Sequence, residues 1–158
     1  MDPQLEIPAR GTRGRRITDV FFRLLSPLAA GQISRYRKSS EPMKMGKVPL
    51  VLLTTVGSRT GRERTSVLGG FEEPDGSWLV VGSKGGSISH PRWFINMAKS
   101  PDRVWLEVGD RKFKVRPELL KGDTYEAAYE RVVNDSPQYA GYRKVTDREI
   151  PVVRLRAS

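Results

Sequence analysis

The sequence predicts a mainly β domain, in which single helices are inserted into about six antiparallel strands that close wholly or partly into a barrel. Three observations predict it. Apolar runs of strand length, such as Pro-Leu-Val-Leu-Leu-Thr-Thr-Val at 49–56, are bounded by turn residues. Tight turns at Pro74-Asp75-Gly76 and Gly109-Asp110 send the chain straight back, which makes neighbouring strands hairpin partners. The helical stretches come singly, without the strand–helix–strand rhythm of a parallel sheet.

Met1 to Gly14, punctuated by Pro3, Pro8, Gly11 and Gly14, reads as an irregular arm. From Arg16 to Arg37 the pattern is helical. Val20, Phe21, Leu24 and Leu25 fall at helical spacing among Arg15, Arg16, Arg23, Arg35, Arg37 and Lys38, and Pro27 and Gly31 are expected to break the stretch in two. Pro49 to Val56 is the first strand, and Ser58 to Arg62 a polar turn. Glu63 to Glu72 is the second strand, and Trp78 to Gly82 its hairpin partner. After the break at Gly85-Gly86, His90 to Ser100 reads as a helix with Pro91 at its first position. Its pairs Trp93/Met97 and Phe94/Ala98 each share a face. Val104–Val108 and Lys112–Val115 form a further hairpin. Asp123 and Glu126 are spaced as a capping box, opening a helix whose apolar face is Tyr125, Ala128, Tyr129, Val132 and Val133. A loop is expected from Asn134 to Arg148, then a last strand from Ile150 to Leu155. The chain is expected to divide into a basic arm and helical segment, 1–47, and a barrel, 48–158.

Composition excludes several chemistries. There is no cysteine and one histidine, His90, so disulfides, thiol nucleophiles and zinc sites built on Cys or His are ruled out, and no metal site is expected. No apolar run approaches the roughly 20 residues that span a bilayer. A cytoplasmic location is the default. The net charge is +10, and residues 1–47 carry ten Lys/Arg against four Asp/Glu. That charge calls for an anionic partner: nucleic acid, a membrane surface or a polyanionic small ligand. Aromatic residues are not interleaved with the basic ones in an RNA-recognition pattern, and no helix-turn-helix is evident, so nucleic acid is not expected. Apolar positions within a basic surround near Phe21–Leu25 suit peripheral contact with an anionic membrane, or packing on the barrel.

Four segments carry candidate chemistry. Gly57-Ser58-Arg59-Thr60-Gly61-Arg62-Glu63-Arg64 joins three arginines to two glycines between strands. It reads either as a solvated turn or as a seat for phosphate or carboxylate oxygens. Gly82-Ser83-Lys84-Gly85-Gly86 lacks P-loop spacing but offers exposed backbone to a ring or a phosphate. In His90-Pro91-Arg92-Trp93-Phe94-Ile95-Asn96, Trp93 reads as core and His90 as a helix-entry residue. In Ser136-Pro137-Gln138-Tyr139-Ala140-Gly141-Tyr142, two aromatics either stack on a planar ligand or pin a loop.

Taken together and in order, these segments resemble the deazaflavin-dependent nitroreductase family of actinobacteria, over roughly Val48 to Val153. The matching strings are Leu-Leu-Thr-Thr-x-Gly-x-Arg-Thr-Gly-x-x-Arg from Leu52, Ser-Lys-Gly-Gly from Ser83, Pro-x-Trp-x-x-Asn from Pro91 and Thr-Asp-Arg-x-Ile-Pro from Thr146. The resemblance implies a split β-barrel of the FMN-binding type, and coenzyme F420, a deazaflavin, as cofactor. It implies that Arg59, Thr60 and Arg64 hold the phosphate and acidic tail, with Arg62 in the same cluster. Ser66, Val67, Gly82, Ser83, Lys84, Gly85 and Gly86 would line the deazaflavin, and Pro91, Trp93 and Asn96 complete the groove. Tyr139 and Tyr142 match aromatics that close over the substrate. Nitroimidazole-reducing members have tyrosine where this chain has Gly69, and another where it has Ser136. The substrate pocket beside Gly69 is therefore expected to be wider here.

The activity implied is two-electron reduction of a quinone, nitro group or activated alkene, with the cofactor supplying the hydride and the protein supplying placement and electrostatics. Ser83 is the candidate for a hydrogen bond near the reacting atoms. A carrier that holds the cofactor without turnover and an FMN enzyme on a related barrel are the alternatives. A monomer or weak dimer is expected.

Overall fold

The computed structural model describes residues 4–16 and 26–158. The apolar positions Val20, Phe21, Leu24 and Leu25, and with them the stretch read as suited to a membrane, lie outside the described residues. The chain folds as α1 (Ser26–Lys38), β1 (Lys44–Met45), β2 (Val48–Val56), β3 (Glu63–Gly69), β4 (Phe71–Glu72), β5 (Trp78–Val81), α2 (Arg92–Lys99), β6 (Trp105–Val108), β7 (Arg111–Leu119), α3 (Gly122–Asp135), α4 (Gln138–Val145) and β8 (Val152–Ala157). A short 3-10 turn, Lys84–Gly86, follows β5.

The strands form one curled antiparallel sheet in the order β1-β2-β6-β7-β8-β5-β4, with β3 paired to β2. Among the described residues six strands have four or more residues, and β1 and β4 are two-residue extensions. The sheet's middle is buried on both faces, which is why β5 reads as an unbroken apolar run. Successive side chains alternate between two cores. Trp78 and Val80 of β5, with Val153 and Leu155 of β8, join Val51, Leu53, Phe94, Met97 and Leu106 inside the curl. Leu79, Val81 and Val152 face the other way, under Tyr125, Tyr129 and Val132 of α3 and Tyr139 of α4.

The second expected strand is divided. Its larger part, β3, pairs with β2, and only Phe71 and Glu72 pair with β5. The division falls at Gly70, where a side chain would collide with Val51 and Trp78. Gly31 does not break α1, because it lies on an exposed face with nothing near it, and Pro27 is the second residue of the helix as described. Pro91 is the N-cap of α2 rather than its first residue. The capping box does not form: Lys121 stands at the N-cap of α3, no side chain caps it, and Asp123 lies in the first turn. The expected loop 134–148 contains α4, which buries Tyr139 and receives the Tyr129 hydroxyl on the Tyr139 carbonyl at 2.7 Å.

The N-terminal arm is stitched to the barrel as a strap. Leu5 N–H donates to the Ala98 carbonyl (2.9 Å), Gly11 N–H to Ile88 (2.9 Å), Ile88 N–H to Arg15 (3.0 Å) and Arg15 N–H to Gly86 (2.9 Å). α1 docks through Tyr36, whose buried hydroxyl lies 3.0 Å from the Leu50 carbonyl, and through Arg37, which pairs bidentately with Glu107 at 2.9 and 3.0 Å.

Candidate active site

The turn between β2 and β3 is closed by its own backbone. Gly57 N–H donates to the Arg62 carbonyl at 2.7 Å and Gly61 N–H to Gly57 at 2.8 Å. Thr60 Oγ1 accepts from Arg62 N–H at 3.3 Å, and a side chain at Gly57 would strike that hydroxyl. Arg59, Arg62 and Arg64 are exposed around this turn, and among the described residues none is ion-paired.

Asn96 of α2 ties this turn to the helix: its Oδ1 accepts from Ser58 N–H at 3.0 Å. Pro91, Trp93 and Asn96 are all buried, with Trp93 edge-on to Phe94, so these three act as wall and brace. The turn after β5 meets the same region from the other side. Gly82 N–H donates to the Pro151 carbonyl at 2.8 Å, and a Cβ at Gly82 would collide with Pro151 and approach Pro91. A Cβ at Gly86 would lie 3.2 Å from Val145 and 3.5 Å from the Tyr142 carbonyl, so the turn rests against α4. Lys84, Gly85 and Gly86 have φ of 44, 60 and 80°, three left-handed residues in succession. Lys84 Nζ donates to Ser89 Oγ at 3.0 Å.

The structure thus brings all four sequence segments to one region. It also sorts them by face. Along β3, Leu68 packs into the inner core while Thr65 bonds across to Thr54 at 2.8 Å. Alternation puts Arg64 and Ser66 on the inner face and Val67 and Gly69 on the outer one. Arg64 is the cross-strand partner of Thr55, whose fully buried Oγ1 has no hydrogen-bond partner among the described residues. On the outer face, Tyr139 stacks edge-on with Phe71 and Tyr142, ring centres 5.7 and 5.3 Å away. Burial pushes the Tyr139 phenol up to about 12, so it stays protonated.

Two residues for which the sequence suggests no ligand-binding role complete the region. Arg148, of the Thr-Asp-Arg-x-Ile-Pro string, and His90 are both buried and in contact at 2.9 Å. Arginine only donates, so His90 Nδ1 accepts and Nε2–H donates to the Pro8 carbonyl at 2.7 Å. With both nitrogens engaged and the ring pKa lowered, chiefly by burial, His90 is not available as a base. Their acceptors are mostly backbone carbonyls, which no residue pattern encodes.

A family model described as F420H(2)-dependent quinone reductase matches residues 30–156. The chain belongs to that family. An F420H(2)-dependent quinone reductase of Mycobacterium tuberculosis is 35% identical over 113 residues, covering 70% of this chain and 74% of the relative. Among solved structures, an F420-H2 dependent reductase superposes with a TM-score of 0.63 at 32% identity, over 75% of this chain and all of that one. A chain described as a domain-swapped dimer gives a TM-score of 0.65 at 28% identity, over 85% of this chain and 98% of that one. The protein is therefore an oxidoreductase with a split-barrel fold and coenzyme F420 as cofactor. The residues fit that cofactor's chemistry: exposed arginines for acidic groups, a left-handed turn for close backbone approach, and an orphaned buried hydroxyl beside Arg64.

Proposed function

We propose that this chain reduces quinones by two electrons, in a groove bounded by the 57–64 turn, the 82–86 turn, the start of α2 and the aromatic face of α4. The convergence of these four segments on one region is the observation that carries the reading. Bound and reduced, coenzyme F420 supplies the hydride. Arg59, Thr60 and Arg64, with Arg62 beside them, bind the phosphate and acidic tail, since arginine forks match these oxygens in two-point geometry. Ser66, Val67, Gly82, Ser83, Lys84, Gly85 and Gly86 line the ring and side chain, and Pro91, Trp93 and Asn96 hold the wall behind them. Ser83 donates or accepts a hydrogen bond near the reacting atoms. Gly69, Tyr139 and Tyr142 border the acceptor, and a nitro group or an activated alkene is a second class of acceptor for the same pocket.

The test is a side-by-side calorimetric titration with coenzyme F420 and FMN, followed by mixing of the reduced deazaflavin complex with a quinone. Micromolar or tighter deazaflavin binding, much weaker FMN binding and rapid cofactor oxidation are expected. Equal affinities would overturn the cofactor choice, and binding without oxidation would make the chain a carrier.

The domain split at Lys47, a monomeric or weakly dimeric state and contact of the basic N-terminal segment with anionic membrane complete the proposal. Among the described residues no helix is long and apolar enough to cross a membrane. Sedimentation with anionic vesicles at low and high salt tests the contact, and light scattering the oligomeric state.

A further inference from the structure

Arg148 is 4% exposed, and its guanidinium donates at 2.8 Å to the Ser87 carbonyl, at 3.0 Å to Gly82, at 2.8 Å to Ser83 and at 2.9 Å to His90 Nδ1. Every one of these acceptors is neutral, and among the described residues no carboxylate pairs with it. A buried cation without a counter-ion is destabilising unless its hydrogen bonds are met, and here they are met by one loop. Burial lowers its pKa to about 10, which leaves it charged at neutral pH.

The loop it binds has two backbone bonds of its own, from Gly86 N–H to the Ser83 carbonyl at 2.9 Å and from Ser87 N–H to the Lys84 carbonyl at 3.1 Å, and it holds an unfavourable backbone conformation. Lys84 at φ 44° is a non-glycine residue in the left-handed region, a conformation that a side chain disfavours. In a trans peptide the C=O and the following N–H point in opposite directions. Anchoring the Gly82 and Ser83 carbonyls on Arg148 therefore turns the N–H groups of Ser83 and Lys84 away from it. Ser83 is right-handed (φ −72°, ψ −39°) and Lys84 left-handed, the pairing in which successive N–H groups form a concave anion seat.

We propose that Arg148 is the positioning residue of the cofactor turn: by drawing the Gly82, Ser83 and Ser87 carbonyls inward, it presents the N–H groups of Ser83, Lys84 and Gly85 as a seat for an anionic group of the cofactor. The proposal rests on the functional reading above for the identity of that ligand. His90 is the clamp's fourth acceptor and links it to the strap through Pro8.

The experiment uses full-length protein and three variants. Arg148→Lys keeps the charge but cannot span four acceptors. His90→Leu removes one acceptor, and His90→Asn restores an acceptor near the Nδ1 position. Two readouts are taken: hydrogen exchange of the ligand-free protein, and titration followed by deazaflavin fluorescence. In Arg148→Lys, the amides of Gly86, Ser87 and Ile88 are expected to lose protection while Val80 and Val153 keep theirs, and deazaflavin affinity to fall about tenfold or more. His90→Leu should do the same to a smaller degree and His90→Asn recover it, a rescue that a general packing role does not produce. A folded Arg148→Lys with parental protection and affinity overturns the proposal. Should Arg148→Lys not fold, parental behaviour of His90→Leu overturns it. Should the parent bind no deazaflavin, the functional reading falls and the cofactor role of Arg148 with it. The exchange data then still report separately whether Arg148 shapes the turn.

Discussion

Arg13 and Asp147 bind each other reciprocally: Arg13 N–H donates to Asp147 Oδ1 at 2.8 Å, and Asp147 N–H donates to the Arg13 carbonyl at 3.1 Å. The pair extends outward. Thr12 gives both its N–H and its hydroxyl to the same carboxylate, and the Arg13 guanidinium donates to the carbonyls of Lys144 and Val145 at 2.8 and 3.0 Å. These bonds hold the Asp147 carboxyl down at about 2, the Thr12 hydroxyl contributing most.

A chain beginning at Ile17 loses all of these contacts, together with the bonds of Leu5, Pro8, Gly11 and Arg15. Net hydrogen-bond contributions of about 1 kcal/mol each make a loss of at least about 2 kcal/mol, or about 4–8 °C in Tm for a domain of this size. Thermal melts of the two chains decide it. An unchanged Tm would mean that the strap lies on the barrel without stabilising it.

His90 gives the fold a pH dependence of known sign. Burial lowers its pKa below 6.5 against the raising effect of the Pro8 and Ala9 carbonyls, with Arg148 lowering and Glu149 raising it. The unfolded chain therefore takes up a proton at a higher pH than the folded one. Stability is full above about pH 6.5 and falls as pH drops from there toward the folded pKa, by at most about 1.4 kcal/mol per pH unit. There is no second histidine, and Asp75 and Asp147, both held near 2, do not titrate in this window. Urea titrations of parent and His90→Asn at pH 7.5 and 5.5 are expected to show the larger loss in the parent. Equal losses would remove His90 as the cause.

On the cofactor side, Arg64→Ala and Lys84→Ala are each expected to weaken deazaflavin binding about ten- to a hundredfold, the worth of one charge-assisted hydrogen bond. Arg156→Ala is the control, since Arg156 is half-exposed and paired with Asp75 at 2.8 Å. If calorimetry gives all three variants the same affinity, the cationic groups act only through net charge.

The strands β2 and β5 were legible because both are buried on both faces, whereas the division of the second expected strand at Gly70 depends on Val51 and Trp78 packing against it. The helix α4 was not. Ser-Pro and Gly141 read as loop, yet Pro137 stands at the cap, where it breaks no bond, and Gly141 faces open space. What makes that segment helical is Tyr139 packing under α3, a tertiary effect outside its own sequence. The site divides in the same way. The strings around Arg59, Ser83 and Trp93 identify a ligand class through side chains. The roles of Arg148 and His90 depend on backbone carbonyls, which any residue supplies.

The final prediction concerns Gly69. Its Cβ, if present, would lie 3.1 Å from Val48 Cγ1, 3.6 Å from the Tyr139 hydroxyl and 3.9 Å from Met45 Cε. Its face of β3 is therefore the one that looks toward α4. The 3.1 Å contact is with a methyl group at the end of a side chain, so alanine needs only a small shift of Val48, and Gly69→Ala should melt close to the parent. A tyrosine must run further along the same direction, past Val48 and against the Tyr139 hydroxyl. Gly69→Tyr is expected to slow turnover of bulky quinones while small quinones are spared. Cofactor affinity should stay within about threefold, near 0.65 kcal/mol, because Arg64 and Ser66 lie on the opposite face of the strand and Val67 is the one proposed cofactor residue of β3 that shares the face of Gly69. Melting curves and cofactor titration first establish that the variant folds and binds. Steady-state rates with a small and a large quinone then decide the matter: if the folded variant treats both as the parent does, the acceptor does not enter beside Gly69, and Tyr139 and Tyr142 serve packing alone.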